Sequence, residues 1–175
     1  AEPLTRNGSI NISPTWSPDG RMVLFTCFRR RNPDLYGISL LTGKVELISS
    51  LPGVNAAPSF HPDGRKIALM MRGGEGTDIF LLPFPHGRPS LLVGGWANET
   101  SPSFSPDGRK IAFVSDRTGT PQVYIKDLVS GRVTRLTFEG SYNCSPAWSP
   151  RGNWIAYSGM VGGRFHIFVI RPDGT

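Results

Sequence analysis

The sequence predicts an all-β chain folded as a β-propeller of four blades, and three observations carry that prediction. Gly (21) and Pro (16) supply about a fifth of the 175 residues, against roughly 12% in an average chain, and no Gly recurs at every third position. No stretch of ten or more residues holds a 3.6-residue apolar period. Short alternating runs separated by turn clusters take its place. The third observation is a repeat. Ser13-Pro-Thr-Trp-Ser-Pro-Asp-Gly20, Ala57-Pro-Ser-Phe-His-Pro-Asp-Gly64, Ser101-Pro-Ser-Phe-Ser-Pro-Asp-Gly108 and Ser145-Pro-Ala-Trp-Ser-Pro-Arg-Gly152 start 44 residues apart each time. Four-stranded units repeated at about 40–45 residues are propeller blades.

Each unit reads as four short strands. The Pro-Asp-Gly turn leads into an alternating run at Met22–Thr26, Lys66–Met70, Lys110–Val114 and Trp154–Ser158. A variable loop follows, and then a second β-rich run containing Leu35-Tyr36, Ile79-Phe80, Val123-Tyr124 and Ile167-Phe168. Gly43, Gly87 and Gly131 turn the chain into a last strand centred on Ile48, Leu92 and Leu136. Trp16, Phe60, Phe104 and Trp148, with Val23, Ile67, Ile111 and Ile155, are expected to form the blade-to-blade core. In the turn itself Pro presets φ, Asp bonds the backbone beyond it and Gly takes the left-handed position.

The whole chain, 1–175, is read as one propeller domain with repeat cores near 13–49, 57–93, 101–137 and 145–175. Leu4 stands three periods before Leu136, so residues 1–6 form an outermost strand without a blade of their own. Phe165–Thr175 stops where the fourth blade needs that strand. The N-terminal strand is therefore expected to complete the last blade and remove an exposed sheet edge. Two chains pairing into an eight-bladed ring, a homodimer, would satisfy the same arithmetic.

Composition excludes several classes. No apolar run reaches the ~18 residues of a membrane-spanning helix, so membrane insertion is not expected, and Ala1–Ser9 carries no signal pattern. Cys27 and Cys144 lack CxxC spacing and are expected as free thiols; no metal and no cofactor is expected. A net charge of +6 favours anionic partners only weakly. Nucleic acid is not expected, because no aromatic platform interleaves with a basic stripe.

With those residues in view, the chain resembles the TolB-like propellers. The matching segments are Ser-Pro-Asp-Gly-Arg-Lys-Ile-Ala-Phe-Val-Ser-Asp-Arg-Thr-Gly at 105–119, Pro-Gln-Val-Tyr at 121–124, Leu-Thr-Phe-Glu-Gly-Ser-Tyr-Asn at 136–143 and Ser-Pro-Ala-Trp-Ser-Pro at 145–150. For full-length members the resemblance implies six blades and an N-terminal α/β domain, of which four repeats are legible here. It also implies a non-enzymatic periplasmic scaffold that binds the lipoprotein Pal over the mouth of the central channel, within the Tol-Pal system of the cell envelope.

Strand alternation puts the inter-blade loops and the loops after each second strand on one face, and the Pro-Asp-Gly turns on the other. Binding sites are usually built on variable loops of a rigid scaffold. The innermost positions of the loop face are Asn11, Asn55, Glu99 and Asn143. They form a polar cup for a partner's backbone groups, or they cap the turns entering the first strands, which Asn does well. Farther out lie Arg29, Arg30, Arg31, Arg72, Asp116, Arg117 and Tyr142. The arginine run can fork onto carboxylates or phosphates, or serve as a solvated loop. Asp116 and Arg117 are expected to pair with each other locally. Tyr142 is placed to stack on a partner or to cover the blade's edge.

Catalytic signatures are missing. His61, His86 and His166 follow no HExxH pattern, and no GxSxG elbow or phosphate-binding glycine loop before a helix is present. Two alternatives to a protein-binding scaffold stay open: the substrate-gating propeller of a prolyl-oligopeptidase-type peptidase, and a propeller binding a small ligand or sugar in its channel.

Overall fold

The computed structural model describes residues 2–73 and 75–175. Fifteen strands and no helix are found among them: β1 (Asn11–Trp16), β2 (Met22–Cys27), β3 (Asp34–Ser39), β4 (Val45–Ser49), β5 (Asn55–Phe60), β6 (Lys66–Arg72), β7 (Thr77–Pro83), β8 (Ser90–Val93), β9 (Glu99–Phe104), β10 (Lys110–Ser115), β11 (Gln122–Asp127), β12 (Val133–Arg135), β13 (Asn143–Trp148), β14 (Ile155–Val161) and β15 (Arg164–Ile170). They make four antiparallel meanders, β1–β4, β5–β8, β9–β12 and β13–β15, which are the four blades of a propeller. Each inner strand packs on the next: β1 on β5, β5 on β9 and β9 on β13.

The turns form as their chemistry requires. Gly20, Gly64, Gly108 and Gly152 sit at φ 69°, 70°, 69° and 73°, where a Cβ would be strained. Asp19 accepts from the Ser17 hydroxyl at 2.6 Å and from the Arg21 amide at 3.1 Å. Asp107 does the same with Ser105 at 2.6 Å and Arg109 at 3.0 Å.

Sequence patterning did not reveal a bulge in every inner strand. Ser13, Ala57, Ser101 and Ser145 adopt φ 53°, 50°, 51° and 54°, and the pairing with the second strand slips at that point in all four blades. The following Pro has no N–H to offer the ladder, so the extra residue falls where the ladder is already interrupted.

Apolar side chains fill the gaps between blades. Leu24 and Leu35 of the first blade pack with Phe60, Ile67 and Leu69 of the second. Ile79 and Val93 meet Phe104, Ile111 and Phe113, and Val123 and Leu136 meet Ile155. The repeat aromatics differ sharply, however. Phe60 and Phe104 are 8% and 7% exposed, whereas Trp16 is 62% exposed, because no blade covers the outer face of the first.

The four-blade fold stands, but residues 1–6 do not pair with the last blade. The fourth sheet has three strands, and residues 2–10 form none; Ala1 lies outside the described residues. Leu4, Thr5, Arg6 and Asn7 instead line a cavity of about 340 Å³ with Tyr36 and Ile38 of β3. They rest against the first blade, while the open edge of β15 belongs to the fourth. Cys27 is buried, Cys144 half-buried, and both are free thiols.

Candidate binding surface on the loop face

Each inner strand starts opposite the end of its second strand: Asn11 faces Cys27, Asn55 faces Met71, Glu99 faces Ser115 and Asn143 faces Gly159. The inter-blade loops and the β2–β3, β6–β7 and β10–β11 loops therefore share one face. The three amides at the inner positions are spent on their own loops and the adjoining strands. Asn55 donates to the Leu51 carbonyl at 2.7 Å and accepts from Ser49 at 2.7 Å. Asn143 donates to the Glu139 carbonyl at 2.7 Å and to Gln122 Oε1 at 2.8 Å. Asn11 donates to the Ser9 carbonyl and Asn7 Oδ1, both at 2.9 Å. Asn55, Glu99 and Asn143 are 0%, 1% and 2% exposed, so these side chains organise the loops rather than lie open at the surface.

Glu99 departs from the pattern because a carboxylate has no N–H to give its loop. Its Oε1 accepts from Ser115 Oγ at 3.1 Å and Arg117 Nη2 at 2.8 Å, while Oε2 is buried without a hydrogen-bond partner among the described residues. Burial raises its pKa above the ordinary Glu value, against the opposing pull of Arg117 and Ser115. Arg117 also lies over the Phe113 and Tyr124 rings, 5.6 and 5.1 Å from their centroids.

Asp116 and Arg117 do not pair with each other. Asp116 accepts from the Asn98 amide and side chain, both at 2.8 Å, and those bonds hold its carboxyl below the ordinary Asp range. The two residues thus tie the β10–β11 loop to the β8–β9 loop through separate partners. Sequence reasoning missed Asn98, Ser115 and Trp96. Trp96 is 72% exposed and lines a cavity of about 230 Å³ with Glu99 and Arg117. Pro52 and Gly140 hold its place in the neighbouring repeats, and that break in the repeat was the available signal.

Arg29, Arg30, Arg31 and Arg72 are exposed on the same face. None of the four has an ion pair among the described residues. Tyr142 is 41% exposed and packs edge-on against Phe165, 5.7 Å between centroids. Among the described residues no three His, Cys, Asp or Glu side chains gather to hold a metal ion.

The family described as the TolB beta propeller domain matches residues 1–175. The chain belongs to that family. The Tol-Pal system protein TolB of Desulfosudis oleivorans is 45% identical over 51 residues, 29% of this chain and 11% of that protein. The TolB crystal structure from Acinetobacter baumannii superposes with a TM-score of 0.83 at 29% identity, covering 97% of this chain and 43% of that one. A TolB-type structure from Agrobacterium tumefaciens gives 0.86 at 27% identity, over 98% of this chain and 62% of that one. The TolB-like chain thus spans less than two thirds of each of these relatives. Prolyl endopeptidase, at 14% identity and a TM-score of 0.67, shares the fold alone.

Proposed function

We propose that this chain is a non-enzymatic, protein-binding propeller of a periplasmic Tol-Pal scaffold, taking a Pal-like lipoprotein across its loop face. The observation that carries the reading is the family match over the whole chain together with superposition on two TolB structures. The loop face supports it chemically. Its inner side chains brace the loops internally, so the surface is pre-organised, and its outer ring presents four exposed arginines suited to a partner's carboxylates. In the same proposal, two isolated chains complement each other's open edges to complete a larger ring.

The test is a titration of the chain with a soluble Pal-type lipoprotein domain. Charges at an interface rim act mainly on association rate and salt dependence. Arg29→Ala/Arg30→Ala/Arg31→Ala is therefore expected to slow association about tenfold at low salt, while Arg65→Ala on the opposite face leaves it unchanged. Equal loss in both variants, or no binding by the parent chain, overturns the reading.

A further inference from the structure

The fourth Pro-Asp-Gly turn holds Arg151 where the other three hold Asp19, Asp63 and Asp107. The turn forms without the carboxylate. The Gly152 amide donates to the Ser149 carbonyl at 2.9 Å, and the Ser149 hydroxyl bonds Asn153 Oδ1 at 3.0 Å in place of the missing aspartate. Turn geometry therefore has no use for the arginine. Arg151 lines a groove of about 450 Å³ between the third and fourth blades, and Lys110 lines it too. Neither cation has an ion pair among the described residues.

Trp148 is in the same wall. Its counterparts in the two preceding blades are Phe60 and Phe104 and in the first Trp16; Trp148 Nε1 is buried with no acceptor among the described residues. Asp107 also borders the groove. Its Oδ1 is held by Ser105 and Arg109, which commit that carboxylate to its own turn. Pro106 and Pro172 complete an apolar wall beside Trp148.

We propose that this groove binds an organic anion. Its phosphate or carboxylate group lies between Arg151 and Lys110, and its apolar body rests on Trp148, Pro106 and Pro172. The volume is within the few-hundred-Å³ range of small-molecule sites and far exceeds a bare ion. The groove is on the turn face, opposite the loop face, so the inference stands independently of the partner reading above.

The experiment follows indole N–H resonances by two-dimensional NMR while phenyl phosphate, benzoate, inorganic phosphate and acetate are titrated separately. The expected result is a saturable shift of one indole signal, half-complete near about 1 mM for phenyl phosphate or benzoate, as suits a site with few contacts. That signal is the one missing in Trp148→Phe. The better of the two aromatic anions identifies the head group as phosphate ester or carboxylate. Arg151→Asp restores the turn of the other blades, so it is expected to fold and to bind at least about tenfold more weakly. Arg151→Gln, which adds no charge, is expected to weaken binding as well. A Trp148 signal that no probe moves, or an affinity unchanged in both Arg151 variants, overturns the proposal.

Discussion

Glu99 shows how one residue can leave a repeat and alter its chemistry. Asn55 and Asn143 each donate to the carbonyl four residues back, and a carboxylate at the same position cannot. Glu99→Gln keeps an acceptor for Arg117 and supplies an N–H₂ at the buried, unpartnered Oε2. It is expected to stabilise the fold at neutral pH by about 1 kcal/mol in urea unfolding. The sign of the pH dependence follows from the raised pKa. Glu99 contributes most favourably below the ordinary Glu value of about 4.3, and that contribution is lost as the pH rises through the higher folded value. The Gln variant should lack this decline. The turn aspartates behave oppositely. Hydrogen bonds from Ser17 and the Arg21 amide lower the Asp19 pKa, and those from Ser105 and the Arg109 amide lower that of Asp107. Their stabilisation is present above the ordinary Asp value of about 4 and is lost as the pH falls through the lower folded values. Asp19→Asn/Asp107→Asn should flatten the acid limb of a stability–pH curve.

At the scale of the element, the inner strand is set by its bulge. The bulge residue is Ser or Ala in every copy, and its positive φ is tolerated because the side chain is small. Ala57→Val should cost about 1–3 kcal/mol by forcing a β-branched side chain into the left-handed region, whereas Ala57→Gly should not. Urea midpoints of the two variants check this. The strand ladder was legible from alternation and turn residues, and β2, β6 and β10 each ran one or two residues past the alternating runs. The bulge was not legible: the Ser/Ala-Pro pair is periodic in the sequence, but only the pairing partner shows the slip. Gly87 holds the repeat position of Gly43 and Gly131, yet those two sit at φ 67° and 76° while Gly87 is not among the residues of positive φ. The β7–β8 connection follows a different path.

For the whole molecule, the consequential feature is that the blades form an arc with two open ends. Trp16 and Ile12 are exposed at one end. Phe165, Ile167 and Val169 are 54%, 76% and 63% exposed on β15 at the other, and unpaired apolar edges invite strand addition. Thr5 occupies the repeat position of Thr137, and His166 that of Gln122. In the third blade Thr137 Oγ1 donates to Gln122 Oε1 at 2.7 Å, which links the segment just after the outermost strand to the third strand. A second copy's Thr5 beside His166 would rebuild that link. Light scattering on a size-exclusion column should therefore give twice 19.1 kDa for the isolated chain, falling toward one chain when residues 2–6 are deleted. A mass of a single chain for the parent excludes the pairing.

The sequence by itself determined the number of repeats, the strand order in each, the turn chemistry and the identity of the core positions, because all of these are local and recur every 44 residues. Tertiary structure decided which copies of a position do the same work. Trp16 and Phe104 are equivalent in the repeat, yet one is exposed and the other buried, since burial depends on whether a blade stands beside it. Asp116 and Arg117 are neighbours in the chain but bond to Asn98 and Glu99. A side chain pairs with what the neighbouring strand brings within reach, and sequence adjacency carries no information about that.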